Sequence, residues 1–231
     1  MDAENANVIV TAALLVAAVA AVSYLAITRE PPSPRRSVVK TLPIALLALV
    51  SFVLGGPWLL TLGLALGAIG DWALSRDGEQ AFLSGLVAFL LAHLLYVALF
   101  LQLRDNAGLM AAEPLRLAAA VLLTLVAAVM LARVWRPAGV LRAAVLIYIA
   151  TILAMVWFAA WLAPPLAFAG ALAFAASDAL LAEETFILRK DAAARQWIAP
   201  AIWILYCLGQ ALIAAAFLFA IPVVQGVVRP A

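Results

Sequence analysis

The chain alternates long uncharged apolar runs with short polar breaks. Eight apolar segments stand out, at about 7–27, 38–55, 57–75, 81–103, 114–134, 139–161, 164–182 and 197–221. Each is close to the ~20 residues that a helix needs to cross a bilayer. The breaks carry turn chemistry: Pro31-Pro32-Ser33-Pro34, Gly55-Gly56-Pro57, Arg76-Asp77-Gly78, Arg104 to Pro114, Arg136-Pro137, Pro164-Pro165 and Glu183 to Arg195. The narrowest break, Gly55-Gly56, divides the second segment from the third. This pattern predicts an all-α polytopic membrane bundle of eight transmembrane helices, a single integral membrane domain over residues 1–231.

Composition agrees. Of 231 residues, 68% are hydrophobic and 11% charged, with a mean hydropathy of +1.16. Soluble domains are roughly 45–50% apolar. The first run lacks a basic leader and precedes no polar mature domain, so it reads as a retained span. The net charge of +2 does not point to nucleic acid; basic residues in such a chain act as topology signals. The single Cys207 excludes an internal disulfide, and the single His93 argues against zinc or haem. No metal and no cofactor is expected.

With eight spans both termini share one side. That side holds Arg104, Arg116 and Arg229, while the other holds Arg29, Arg35, Arg36, Lys40, Arg76, Arg133, Arg136, Arg142, Arg189, Lys190 and Arg195. The positive-inside rule places the rich side in the cytoplasm and both termini outside. One span more or fewer would spoil this asymmetry.

Two spans each carry a carboxylate inside an apolar run: Asp71 in Leu62 to Leu74, and Asp178 in Gly170 to Ala182. A charge inside a membrane span is costly and marks a functional site by default. Asp71 lies 14 residues after Pro57, and Asp178 lies 14 after Pro164. At ~1.5 Å per residue the two carboxylates should lie at similar depth, in the cytoplasmic half. They are 107 residues apart, near half the chain, which suggests two parallel four-helix halves. The other polar groups inside the spans include Lys40, His93, Tyr96, Tyr148, Ser177, Tyr206 and Gln210.

Each has a bland alternative. Lys40 could snorkel to the interface. His93 and Gln210 could hydrogen-bond between helices, and Tyr148 and Tyr206 could be packing aromatics. Asp71 and Asp178 could pair structurally with Lys40 or a tyrosine. Trp135, Trp161 and Trp197 read as an interfacial belt. Gly63, Gly67 and Gly70 follow a small-residue spacing that lets helices approach.

Several pieces then form an ordered set: Lys40-Thr-Leu-Pro43, Gly70-Asp71, Phe82-Leu-Ser-Gly85, Phe89 to His93-Leu-Leu-Tyr96, Tyr148 with Met155, Gly170 to Ser177-Asp178, and Leu205-Tyr206-Cys-Leu-Gly-Gln210. The set resembles the YhhN-like lysoplasmalogenase family of membrane proteins. One departure is that Lys40 is not directly followed by proline. The resemblance implies an eight-span bundle without metal that hydrolyses the vinyl ether bond of lysoplasmalogens. The products would be a fatty aldehyde and a glycerophospho-ethanolamine or -choline.

Under that implication Asp71 and Asp178 are the catalytic pair, because protonating an alkene carbon and stabilising the resulting oxocarbenium ion needs one neutral acid and one anion. Glycosidases meet a similar demand with two carboxylates. Which aspartate plays which part stays open. Tyr148, Tyr206, Gln210 and His93 would position water and the glycerol oxygens, with Ser177 also on the substrate side. Lys40 would meet the phosphate. The partners are then a lysophospholipid and the bilayer; the arginine- and alanine-rich composition fits a GC-rich bacterial genome, and the expected location is the bacterial inner membrane. A transporter with a polar site in the cytoplasmic half, and a non-catalytic scaffold, are the rival readings.

Overall fold

A computed structural model describes residues 3–103, 113–189 and 191–220. The described residues form eight α-helices: α1 (Ala3–Ile27), α2 (Pro34–Val53), α3 (Trp58–Leu74), α4 (Glu79–Leu101), α5 (Pro114–Val134), α6 (Arg142–Leu162), α7 (Pro165–Phe186) and α8 (Arg195–Leu218). A 3-10 turn at Gly139–Leu141 leads into α6. Seven of the eight are long and apolar enough to span a membrane; α3 is shorter, at 17 residues. Arg104, Lys190, Arg229 and Ile221 lie outside the described residues.

Local chemistry sets the helix ends. Ser33 caps α2, its hydroxyl accepting from the Arg36 amide at 3.2 Å, with Pro34 in the first turn. Helix α2 therefore begins earlier than the apolar run and carries Arg35 and Arg36 on its first turn. It ends in a Schellman turn, in which the amide of Gly56 bonds the Ser51 carbonyl at 2.8 Å and that of Gly55 the Phe52 carbonyl at 3.1 Å. Gly55 has φ 65°, which L side chains resist. This turn makes the narrow break real. Helices α5 and α7 begin with Pro114 and Pro165 in their first turns.

The chain forms two compact units, one of Met1–Leu99 with Ile213–Ala231 and one of Phe100–Leu212. In the first, α1 packs on α2 and α2 on α3. Hydroxyls join α2 and α3 at both ends, Ser51 to Thr61 at 2.7 Å and Ser75 to Ser37 at 2.6 Å. Arg36 donates to the carbonyls of Thr28 and Ser75 at 3.1 and 3.2 Å, tying the ends of α1 and α3 to the start of α2.

In the second unit α5, α6 and α7 pack on one another. Trp157 Nε1 donates to Thr124 Oγ1 at 3.1 Å between α6 and α5. A small apolar core of Val134, Ala138 and Val145 closes the α5–α6 turn, with Phe186 of α7 against it. Arg116, which the sequence offers only as a topology signal, is buried. It donates to the Ala163 carbonyl at 2.7 Å and to Glu113 at 3.0 Å. Arg195 clasps the α7–α8 loop through the carbonyls of Glu184 and Leu188.

Large apolar side chains point outward along the helices, including Leu15, Val19 and Val22 of α1 and Leu122, Leu125 and Val129 of α5. Such faces suit lipid and not water. Trp135, Trp161 and Trp197 are exposed near helix ends.

Candidate functional site

Each unit contains one of the two carboxylates that stand inside apolar helix stretches, and each carboxylate meets a side chain from the preceding helix. In the first unit Asp71 of α3 is 1% exposed, and Oδ1 lies 3.8 Å from Nζ of Lys40 on α2. One turn further along the same contact, Arg36 reaches the Ser75 carbonyl, so α2 presents its cations to α3 in register. Lys40 thus faces a carboxylate and does not simply snorkel.

In the second unit Tyr148 Oη of α6 donates to Oδ2 of Asp178 on α7 at 3.2 Å. Both residues are partly buried. The placement within helices matches: Asp71 lies thirteen residues after Trp58, and Asp178 thirteen after Pro165. Lys40 lies six residues after Pro34, and Tyr148 six after Arg142. The pairing partners that the structural alternative named for the aspartates are the ones present.

Helix α4 seals one face of α3. A methyl at Gly70 would lie 2.6 Å from the Phe89 ring, and one at Gly63 would lie 2.6 Å from the Tyr96 ring. The glycines therefore let two aromatic rings of α4 lie against the α3 backbone. His93 belongs to the same α4 surface and is fully buried, with Nδ1 2.6 Å from the Phe89 carbonyl oxygen.

Helix α8 does the same for α7. Ser177 Oγ donates to the Ile202 carbonyl at 3.0 Å, so this hydroxyl joins two helices directly beside Asp178. The Tyr206 ring meets Phe174 edge-on, with centroids 5.4 Å apart. At Gly209 a methyl would lie 2.9 Å from the Gly170 carbonyl oxygen and 3.0 Å from the Phe174 amide nitrogen. Gln210 follows Gly209 and is fully buried.

The expected site residues therefore separate by unit. Lys40, Asp71 and His93 belong to the first, and Tyr148, Ser177, Asp178, Tyr206 and Gln210 to the second. Phe89 and Phe174, which hold the α3–α4 and α7–α8 contacts near the aspartates, carry no polar signal that could have singled them out in sequence.

Apolar helices with buried ion-pairing and hydrogen-bonding groups define an integral membrane protein of the polytopic α-helical class. The YhhN family model matches residues 35–217, more than half of the chain. The protein belongs to the YhhN family. Comparison with curated proteins and with solved structures finds no match.

Proposed function

We propose that this protein is a lysoplasmalogenase-type ether hydrolase with Asp71 and Asp178 as its catalytic carboxylates. Family membership supports the reaction class. The observation that carries the residue assignment is that Asp71 and Asp178, each within an apolar stretch, meet a polar group of a neighbouring helix, the Lys40 ammonium as an ion pair at 3.8 Å and the Tyr148 hydroxyl as a hydrogen bond at 3.2 Å.

The chemistry asks for few groups. An acid delivers a proton to the alkene carbon farther from the ether oxygen, giving an oxocarbenium ion. A carboxylate stabilises that cation and takes a proton from the water that adds to it. The hemiacetal hydroxyl then gives its proton to the carboxylate as the bond to the glycerol oxygen breaks and that oxygen takes up a proton, leaving a fatty aldehyde and a glycerophospho-alcohol. One water is consumed and the proton is returned.

Tyr148 holds Asp178 in place and Lys40 holds Asp71. An ammonium has three donors, so Lys40 also meets the substrate phosphate. Tyr206, Gln210, Ser177 and His93 position water and the glycerol oxygens, and the apolar helix faces take the alkenyl chain. In this reading the chain crosses a bacterial plasma membrane eight times, with both termini outside and two parallel four-helix halves.

The test is aldehyde release by purified protein in detergent from alkenyl lysolipids with ethanolamine and choline head groups. Wild type should release aldehyde, and Asp71→Asn and Asp178→Asn should not while remaining folded. Active aspartate variants would overturn the assignment. An inactive wild type that instead moves lipid into vesicles unchanged would replace hydrolysis with transport.

A further inference from the structure

Two hydroxyl pairs fix the register of the seam between α2 and α3. Ser37 meets Ser75 at 2.6 Å near one end, and Ser51 meets Thr61 at 2.7 Å near the other. The helices run antiparallel, so a step inward on one matches a step inward on the other. Four residues in from the first pair stand Thr41 on α2 and Asp71 on α3. Ten residues in from the second pair stand the same two residues. Thr41 therefore shares the level of Asp71, beside Lys40, whose ammonium lies 3.8 Å from the carboxylate.

The Thr41 hydroxyl oxygen is buried and makes no hydrogen bond to any group among the described residues. A helical threonine often settles its hydroxyl on the carbonyl one turn back. Thr61, Thr124 and Thr151 do so, at 3.4, 2.8 and 2.9 Å from the carbonyl oxygens of Pro57, Ala120 and Ile147. Thr41 neither takes the Ser37 carbonyl in this way nor bonds Asp71 directly. A buried hydroxyl without a bond is costly in an apolar setting. One at the level of a carboxylate is placed to share a small polar molecule with it.

We propose that Thr41 is a water-positioning residue, whose hydroxyl and the Asp71 carboxylate together hold the water that adds to the oxocarbenium ion. The inference rests on the hydrolase reading for the reaction. The Thr41 hydroxyl donates to the water oxygen, and the water donates one hydrogen to an Asp71 oxygen. A lone pair of the water forms the new bond to the cationic carbon, and that hydrogen passes to Asp71 as a proton. A carboxylate offers about four acceptor positions, so Lys40 and the water use different ones. Asp71 then serves as the base toward water.

The test adds methanol to the aldehyde assay with an alkenyl lysolipid in detergent. Methanol and water compete for the same cation. Water leads to aldehyde, whereas methanol adds, loses its hydroxyl proton and leaves a mixed acetal that keeps the glycerol and is read by mass spectrometry. The ratio of the two products is settled after the alkene is protonated, so it reads the placement of water whichever step limits the rate. In wild type the held water should capture the cation and leave little acetal. Thr41→Val keeps the shape and removes the hydroxyl, and its acetal-to-aldehyde ratio should rise about tenfold, the worth of one hydrogen bond. Thr41→Ser keeps the hydroxyl and should match wild type. Binding of a saturated-ether lysolipid, which has no vinyl ether to cleave, should be the same in all three.

Unfolding midpoints in detergent give a second reading that needs no activity. A hydroxyl that holds a water is lost at a cost, so Thr41→Val should lower the midpoint. An idle buried hydroxyl is better replaced by a methyl, and the midpoint would rise.

An unchanged product ratio in Thr41→Val, or a raised midpoint, overturns the proposal. Weaker lipid binding with an unchanged ratio also overturns it, because Thr41 would then only support the α2–α3 seam. If Thr41→Val does not fold, Thr41→Ala carries the same product reading. Aldehyde release with an unchanged ratio overturns the Thr41 assignment alone. No aldehyde from wild type overturns hydrolysis, and the midpoint of Thr41→Val then decides the held water by itself.

Discussion

The hydroxyl of Tyr148 donates to Oδ2 of Asp178 over 3.2 Å, across the contact of α6 with α7. Removing it with Tyr148→Phe keeps the ring and its packing but deprives the carboxylate of this donor. We expect a loss of about 1 kcal/mol in stability, the typical net worth of such a bond. Aldehyde release should fall with it. If Tyr148 acts through Asp178, the double variant with Asp178→Asn should lose no more activity than Asp178→Asn alone, which parallel assays of the three variants would show.

The Lys40–Asp71 pair spans 3.8 Å, with side chains 14% and 2% exposed. Removing one partner leaves the other charge uncompensated in an apolar setting, which costs about 3–5 kcal/mol for a buried pair. Lys40→Met and Asp71→Asn should each lower the unfolding midpoint in detergent. The double variant should recover part of that loss, because neither charge remains. Activity should stay absent in both Asp71 variants whatever their stability, separating the chemical role of Asp71 from its structural one.

Three glycines should differ in their tolerance of a methyl group. Gly63→Ala and Gly70→Ala press on the rings of Tyr96 and Phe89, while Gly209→Ala presses on the backbone of α7 at Gly170 and Phe174. Overpacking costs about 1–3 kcal/mol where side chains can shift. Backbone yields less readily, so Gly209→Ala should be the most damaging of the three in thermal unfolding. Gly70→Ala should also reduce aldehyde release, since it displaces the turn that carries Asp71.

The arginine and lysine asymmetry makes a topological prediction. In a cysteine-free background made by Cys207→Ala, single cysteines at Asn5 and Glu113 should react with an impermeant thiol reagent applied from outside intact cells. Cysteines at Asp77 and Asp191 should react only after permeabilisation. Labelling of Asn5 and Asp77 from the same side would remove α1–α3 from the assumed crossing pattern.

The sequence by itself determined the class of the protein and the order of eight helices among the described residues, with helix ends displaced by up to four residues from the apolar runs. The reason is that a bilayer demands ~20-residue apolar runs and every backbone group paired within a helix, while Ser33, Gly55 and the prolines mark the ends by local chemistry. The two aspartates were also legible, because a carboxylate among leucines and alanines stands out by its cost. The ordered polar residues around them were enough to indicate the family.

Partnership was another matter. That Lys40 faces Asp71, that Tyr148 reaches Asp178, and that Ser177 bonds the Ile202 carbonyl depend on how helices rotate and slide against one another, and residues about thirty apart in the chain carry no mark of which face they share. The same holds for Arg116, whose charge reads as a topology signal until the Ala163 carbonyl is placed beside it. Only tertiary packing decided these pairs, through close approaches such as Phe89 on Gly70 and Gly209 on Gly170, because in an apolar bundle the register that satisfies each buried polar group is set by which surfaces fit.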